Sequence, residues 1–148
     1  LFIKAINTKS KEIGLDQKYF LNETGLDENF TTAGGYGSAR DVVRLFNYAV
    51  RSYPESFEAT RYDETTVSSV ENTKHVVENT NSGVEEIPGI IASKTGYTDL
   101  AGGNLVIMFD AGPIRPIVVS VLGSTLEGRF EDAAALVSAT LRYFKENE

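Results

Sequence analysis

Pro88-Gly89-Ile90-Ile91-Ala92-Ser93-Lys94-Thr95-Gly96-Tyr97-Thr98 starts as an apolar run and turns polar at its far end. With Ile87 ahead of it, the run predicts a strand from Ile87 to Tyr97. Two more apolar runs follow, Gly103 to Phe109 and Pro116 to Leu122, separated by the turn residues Asp110-Ala111-Gly112-Pro113. Three consecutive strands with short links read as an antiparallel meander. The last of them, Ile117-Val118-Val119-Ser120-Val121-Leu122, is apolar on both faces, which implies cover on each side.

Working outward, the cover is found on either flank. Downstream, Phe130, Ala133, Ala134, Val137, Leu141 and Phe144 mark an amphipathic helix from about Glu127 to Lys145, with its apolar face across the meander. Upstream, Ser38-Ala39-Arg40-Asp41 has capping-box spacing with Asp41 as the cap acid. Val42, Leu45, Phe46, Ala49 and Val50 then follow at helical spacing until Pro54. Thr65 to Val70 and Lys74 to Glu78 read as a hairpin across Glu71-Asn72-Thr73. Leu15 to Gly37 is turn-rich, running through Gly25 and the Gly34-Gly35-Tyr36-Gly37 cluster, and is expected to be a long ordered loop or a lid. Before it, Phe2, Ala5, Ile6 and Ile13 lie on a helix stopped by Gly14. That helix begins with neither an initiator Met nor a capping residue, so a truncated or processed chain is expected. The fold class is mixed α/β (α+β), an antiparallel sheet flanked by helices.

Composition narrows the chemistry. In 148 residues there are 14 Lys plus Arg against 21 Asp plus Glu, a net charge of -7, so a phosphate-binding surface is disfavoured and no nucleic-acid partner is expected. There is no cysteine and one histidine, His75, which excludes thiolate catalysis and multi-histidine metal sites. His75 reads as a solvated hairpin residue, and Glu85 and Glu86 as solvated loop charges. No apolar run approaches the roughly 18 residues of a membrane helix.

The end of the first meander strand carries the chemical signal. Lys94 and Thr95 join a cation to a hydroxyl, a pair able to hold a carboxylate, and Gly96 leaves space where a substrate backbone could lie close. Lys-Thr-Gly occurs in class A β-lactamases and penicillin-binding proteins. Gly25-Leu26-Asp27, Tyr36-Gly37-Ser38-Ala39-Arg40-Asp41, Asn79-Thr80-Asn81, Lys94-Thr95-Gly96-Tyr97-Thr98, Gly102-Gly103-Asn104-Leu105 and Leu122-Gly123 leading to Arg129-Phe130 stand in family order. Over nearly its whole length the chain resembles the serine-type D-alanyl-D-alanine carboxypeptidases, the low-molecular-mass penicillin-binding proteins.

That resemblance implies a β-lactamase/penicillin-binding-protein-like fold and an acyl-enzyme hydrolase acting on peptidoglycan stem peptides. Lys94 would supply positive charge beside the nucleophile, Thr95 would bond the substrate's terminal carboxylate, and Gly96 would leave room for the peptide. Arg129, 35 positions after Lys94, would help grip that carboxylate. The backbone at Gly96 and Tyr97 would offer an oxyanion-hole donor. The implied partners are a stem peptide ending in D-Ala-D-Ala and β-lactam antibiotics, with no metal or organic cofactor, outside the cytoplasmic membrane of a bacterium.

The departures are equally specific. No Ser has Lys three residues on (Ser10 meets Ile13, Ser38 meets Asp41, Ser93 meets Gly96), and neither Ser69 nor Ser82 starts a Ser-x-Asn. The expectation is that 1–148 is the C-terminal portion of a single catalytic domain, inactive alone, with a missing N-terminal part as partner. A β-lactamase of the same superfamily and a non-catalytic module binding peptidoglycan or a partner are the alternatives. Plainer readings exist for single residues: Lys94 as an edge-strand lysine that discourages aggregation, and Arg129 as a surface partner of Glu127 or Glu131.

Overall fold

The computed structural model describes residues 1–147. The first apolar cluster winds into α1 (Phe2–Glu12), with Ile3 and Ile6 half-buried, and Gly14 takes φ +76° where the chain leaves the helix. Glycine enters that left-handed region without a Cβ penalty, so the stop falls where the sequence predicts it.

The 15–37 segment, expected as a long ordered loop or a lid, is a loop ordered by a short strand pair. It contains β1 (Tyr19–Phe20) and β2 (Gly35–Tyr36), paired antiparallel with Tyr19 opposite Tyr36. Strands this short have no periodicity to read, and their pairing is imposed from outside. The Asn7 side chain on α1 accepts the Phe20 N–H and donates to the Phe20 carbonyl, both at 2.8 Å. The Tyr19 and Tyr36 rings stack with centroids 5.1 Å apart.

α2 (Ala39–Ser52) starts as predicted, with Ser38 Oγ accepting the Asp41 N–H at 3.2 Å. The Asp41 carboxylate does something other than complete a local cap. It is buried, and its Oδ2 accepts the Gln17 N–H at 2.6 Å. The first turn of a helix favours a carboxylate, and here that carboxylate also satisfies an amide of the segment leaving α1.

Two 3-10 turns, Pro54–Ser56 and Glu58–Arg61, lead into the hairpin of β3 (Glu64–Ser68) and β4 (Lys74–Glu78). Ser69 and Val70 belong to its turn rather than to the strand, closed by an Asn72 N–H to Ser69 carbonyl bond of 2.9 Å with Asn72 at φ +60°. His75 is exposed opposite Val67. Glu85 and Glu86 are exposed on a third 3-10 turn, Val84–Glu86.

The meander follows as β5 (Ile90–Thr98), β6 (Gly102–Asp110) and β7 (Pro116–Ser124), antiparallel in the order β5-β6-β7. β5 begins at Ile90 rather than Ile87, because Pro88 donates no N–H and Gly89 sits at φ +66°, where a Cβ would lie 2.9 Å from the Asp110 carbonyl oxygen. α3 (Gly128–Glu146) closes the fold.

Strand alternation divides the apolar interior in two. Leu105, Ile107 and Phe109 of β6 pack with Val121, Ala133 and Val137 on the α3 face. Val106 and Met108 pack with Ala92, Phe46 and Val50 on the α2 face. Each large side chain so buried contributes about 1.5–3 kcal/mol of transfer free energy. The two-sided cover inferred from the apolar β7 is present, one helix to each face.

Candidate active site: the sheet edge and the first turn of α3

Lys94, Thr95 and Gly96 lie on β5, an outer strand of the sheet. Register assigns their faces: Lys94 is opposite Val106, which packs toward α2, and Thr95 is opposite Leu105, which packs toward α3. Lys94 is exposed, and its Nζ donates to the Thr95 carbonyl at 2.6 Å. Gly96 is exposed, and a Cβ built there would meet only Asn104 Cβ at 3.9 Å, so no steric demand within this chain requires glycine.

Arg129 is brought to the same strand from α3. Its Nη1 donates to the Gly96 carbonyl at 3.0 Å, the residue is 7% exposed, and its guanidinium lies 4.7 Å from the Phe130 ring centroid. Among the described residues it forms no ion pair with Glu127 or Glu131, so the surface-pair reading does not hold. Its buried Nε has no hydrogen-bond partner among those residues. Lys94 likewise has no ion-pair partner there. Arg129 from the α3 side and Lys94 on the α2 face thus both border β5 with no carboxylate ion-pair partner among the described residues, in a chain of net charge -7. An anion is the chemical complement of that arrangement.

The local sequence explains why Arg129 arrives there. A Cβ at Gly103 would collide with the Thr125 carbonyl, so glycine lets the start of β6 touch the segment entering α3. Asn104 braces the same corner, donating to the Gly102 carbonyl at 2.8 Å and accepting the Gly123 N–H at 3.1 Å. Thr125 Oγ1 then accepts the Gly128 N–H at 2.8 Å at the head of the helix.

The amides of the outer edge follow from parity. Ser93 N–H donates away from β6 to Thr60 Oγ1 at 3.1 Å, so the two-residue period turns the amides of Thr95 and Tyr97 to that same edge. Of the Gly96 and Tyr97 amides, it is the Tyr97 N–H that this parity turns to the outer edge.

Asp27, Asn79 and Thr80 contribute contacts around β5 for which the sequence suggests no role. Asp27 Oδ2 accepts the Leu100 N–H at 3.1 Å, pinning the turn after β5 to the 21–34 loop. Asn79 Nδ2 donates to the Thr60 and Tyr62 carbonyls at 3.1 and 2.8 Å. Thr80 Oγ1 lies 2.6 Å from Thr95 Oγ1. Their spacing from β5 was visible in the sequence, but nothing local to them points to the partner. A cavity of about 600 Å³, lined in part by Lys18, Phe20, Tyr36, Leu100 and Leu122, contains none of the predicted site residues.

An antiparallel meander between two helices, with Lys-Thr-Gly on its outer strand, is the architecture of the penicillin-binding-protein and β-lactamase class. A penicillin-binding protein of Listeria monocytogenes, solved in a cefotaxime-bound form, matches with a TM-score of 0.76 and 28% identity over 94% of this chain and 54% of that one. The family model for D-alanyl-D-alanine carboxypeptidase matches residues 1–125, and the chain belongs to that family. Lys94, Thr95 and Gly96 fall inside the matched segment and Arg129 beyond it. The D-alanyl-D-alanine carboxypeptidase DacF of Bacillus subtilis is 33% identical over 128 residues, 86% of this chain and 32% of that protein. DacA of Escherichia coli is 28% identical over 146 residues, 97% of this chain and 34% of that protein. The chain therefore spans about a third of these curated relatives and about half of the solved structure.

Proposed function

We propose that this chain forms the carboxylate-binding wall of a serine-type D-Ala-D-Ala carboxypeptidase acting on peptidoglycan stem peptides. One observation carries the reading: the Arg129 guanidinium is docked on the Lys-Thr-Gly strand through Gly96 at 3.0 Å, though the two are far apart in sequence. In this reading Thr95 Oγ1 and Arg129 hold the terminal carboxylate, and Lys94 adds positive charge beside the nucleophile. Gly96 leaves space for the peptide, and the Tyr97 N–H stabilises the oxyanion.

The nucleophile is a Ser followed three residues later by Lys, contributed by residues other than these 148. Its Oγ attacks the carbonyl of the penultimate D-Ala, the terminal D-Ala leaves as the free amino acid, and water then releases the acyl group. β-Lactams acylate the same Ser, and their carboxylate occupies the wall. The work is extracytoplasmic, at the bacterial cell wall, and needs no metal or organic cofactor.

The complete gene product, given a fluorescent penicillin, is expected to carry a long-lived covalent label and to release D-Ala from a peptide ending in D-Ala-D-Ala. Arg129→Ala should slow acylation roughly ten- to a hundredfold, the loss of a charge-assisted bond. Arg129→Lys should recover only part of it, since an ammonium lacks the planar fork. Rapid turnover of penicillin would identify a β-lactamase instead, and no covalent label on folded protein would identify a non-catalytic binding module.

A further inference from the structure

We infer that Thr80 is a positioning residue for the substrate carboxylate: its hydroxyl donates into Thr95 Oγ1 and so commits the Thr95 proton to the bound anion. The inference rests on the wall proposed above and concerns a residue to which that reading assigns nothing.

The two hydroxyl oxygens are 2.6 Å apart, and either can be the donor. One proton lies between them, and the other hydroxyl keeps its proton for something else. A carboxylate only accepts, so it selects one of these two states. With an anion taking the Thr95 proton, Thr80 must be the donor in the shared bond. That donation also polarises the Thr95 O–H, strengthening the bond to the anion in the way hydrogen-bond chains do.

The position of Thr80 is built rather than incidental. Asn79 on one side donates to the Thr60 and Tyr62 carbonyls, and its Oδ1 accepts the Asn81 N–H at 2.9 Å. Asn81 on the other side is 1% exposed, and its Oδ1 accepts the Gly83 N–H at 3.3 Å. Thr60, which receives Asn79, also receives Ser93: its carbonyl accepts Ser93 Oγ at 3.3 Å and its Oγ1 accepts the Ser93 N–H at 3.1 Å. A single 3-10 residue thus references both the Thr80 segment and the strand bearing Thr95. Thr80 itself is exposed, free to line an open wall.

The test measures the second-order rate of acylation by a fluorescent penicillin, and KM for a D-Ala-D-Ala peptide, on the complete gene product. Thr80→Val, similar in shape but without a hydroxyl, should weaken both about threefold to tenfold, the worth of one hydrogen bond. Thr80→Ser should restore them to within about twofold of the parent. In a Thr95→Val background, Thr80→Val should have no further effect, because the hydroxyl acts only through Thr95. Additive losses in the double variant, or a Thr80→Val protein indistinguishable from the parent while Thr95→Val is impaired, overturn the role of Thr80 and leave the wall intact. A parent protein that neither acylates nor cleaves overturns the wall, and this inference with it.

Discussion

Arg129 shows how far a single side chain can be repositioned by its surroundings. Placed in the first turn of α3 between acidic neighbours, it has the local sequence of an ordinary surface ion pair, yet it is buried against the Gly96 carbonyl. Lys18 is the second informative residue. Its Nζ lies 4.8 Å from the Phe20 ring centroid, and burial lowers its pKa from 10.5 although Asp41 pulls the other way. The folded state therefore holds this proton less tightly than the unfolded chain, which binds more protons between the lowered value and 10.5. Stability rises with pH through that window, and the cost of the buried charge is fully present below it. Lys18→Met should melt at a higher temperature than the parent near neutral pH, and the gap should close as pH approaches 10.5. Thermal melts of the two proteins across that range decide it, and a gap that widens with pH would contradict the assignment.

At the scale of elements, the corner joining β6, β7 and α3 sets the site. Gly103 permits the close approach of β6 to the segment that enters α3, and Gly102 and Gly123, at φ +67° and +71°, let the strand ends turn there. Gly103→Ala should force the Thr125 carbonyl away and tilt the first turn of α3. The expected cost is about 1–3 kcal/mol, the usual cost of overpacking, with weaker acylation as Arg129 leaves Gly96. Chemical denaturation and penicillin labelling of the complete protein measure the two effects separately. A variant with unchanged stability would mean that the corner has slack. The β3–β4 hairpin is a contrasting element: Val67, Val76 and Val77 are exposed, so its outer part contributes little burial, while its exit through Asn79 and Thr80 bonds to Tyr62 and to Thr95 of β5.

On the scale of the whole molecule, one sheet separates two apolar clusters, and each helix covers one. The sheet has unequal edges. β5 is partly covered by the Glu58–Arg61 turn through Thr60, while the outer edge of β7, nine residues long, has no strand partner among the described residues. Tyr36, Leu100 and Leu122 add exposed apolar surface beside the 600 Å³ cavity. Unpaired strand edges and exposed apolar area both promote pairing with another chain. This 148-residue chain alone should therefore self-associate as its concentration rises. Sedimentation velocity over a concentration series tests this, and a constant monomer mass would count against it.

The amino-acid sequence by itself determined the long elements, because their signals are local: short apolar runs bounded by turn residues for the meander, a 3.6-residue period for α2 and α3, Gly14 and Pro54 as stops. It also determined the family, and it presented Lys94-Thr95-Gly96 as a candidate wall because those residues are contiguous. The β1–β2 pair, the cross-chain use of Asp41, the Asp27–Leu100 tether, the Thr80–Thr95 hydroxyl pair and the burial of Arg129 were decided only by tertiary structure. Each joins segments well separated in sequence, and its strength depends on where the folded backbone places two polar groups. No period or propensity encodes that distance, so the residues of the proposed wall could be named from the sequence while the contacts that bring them together could not.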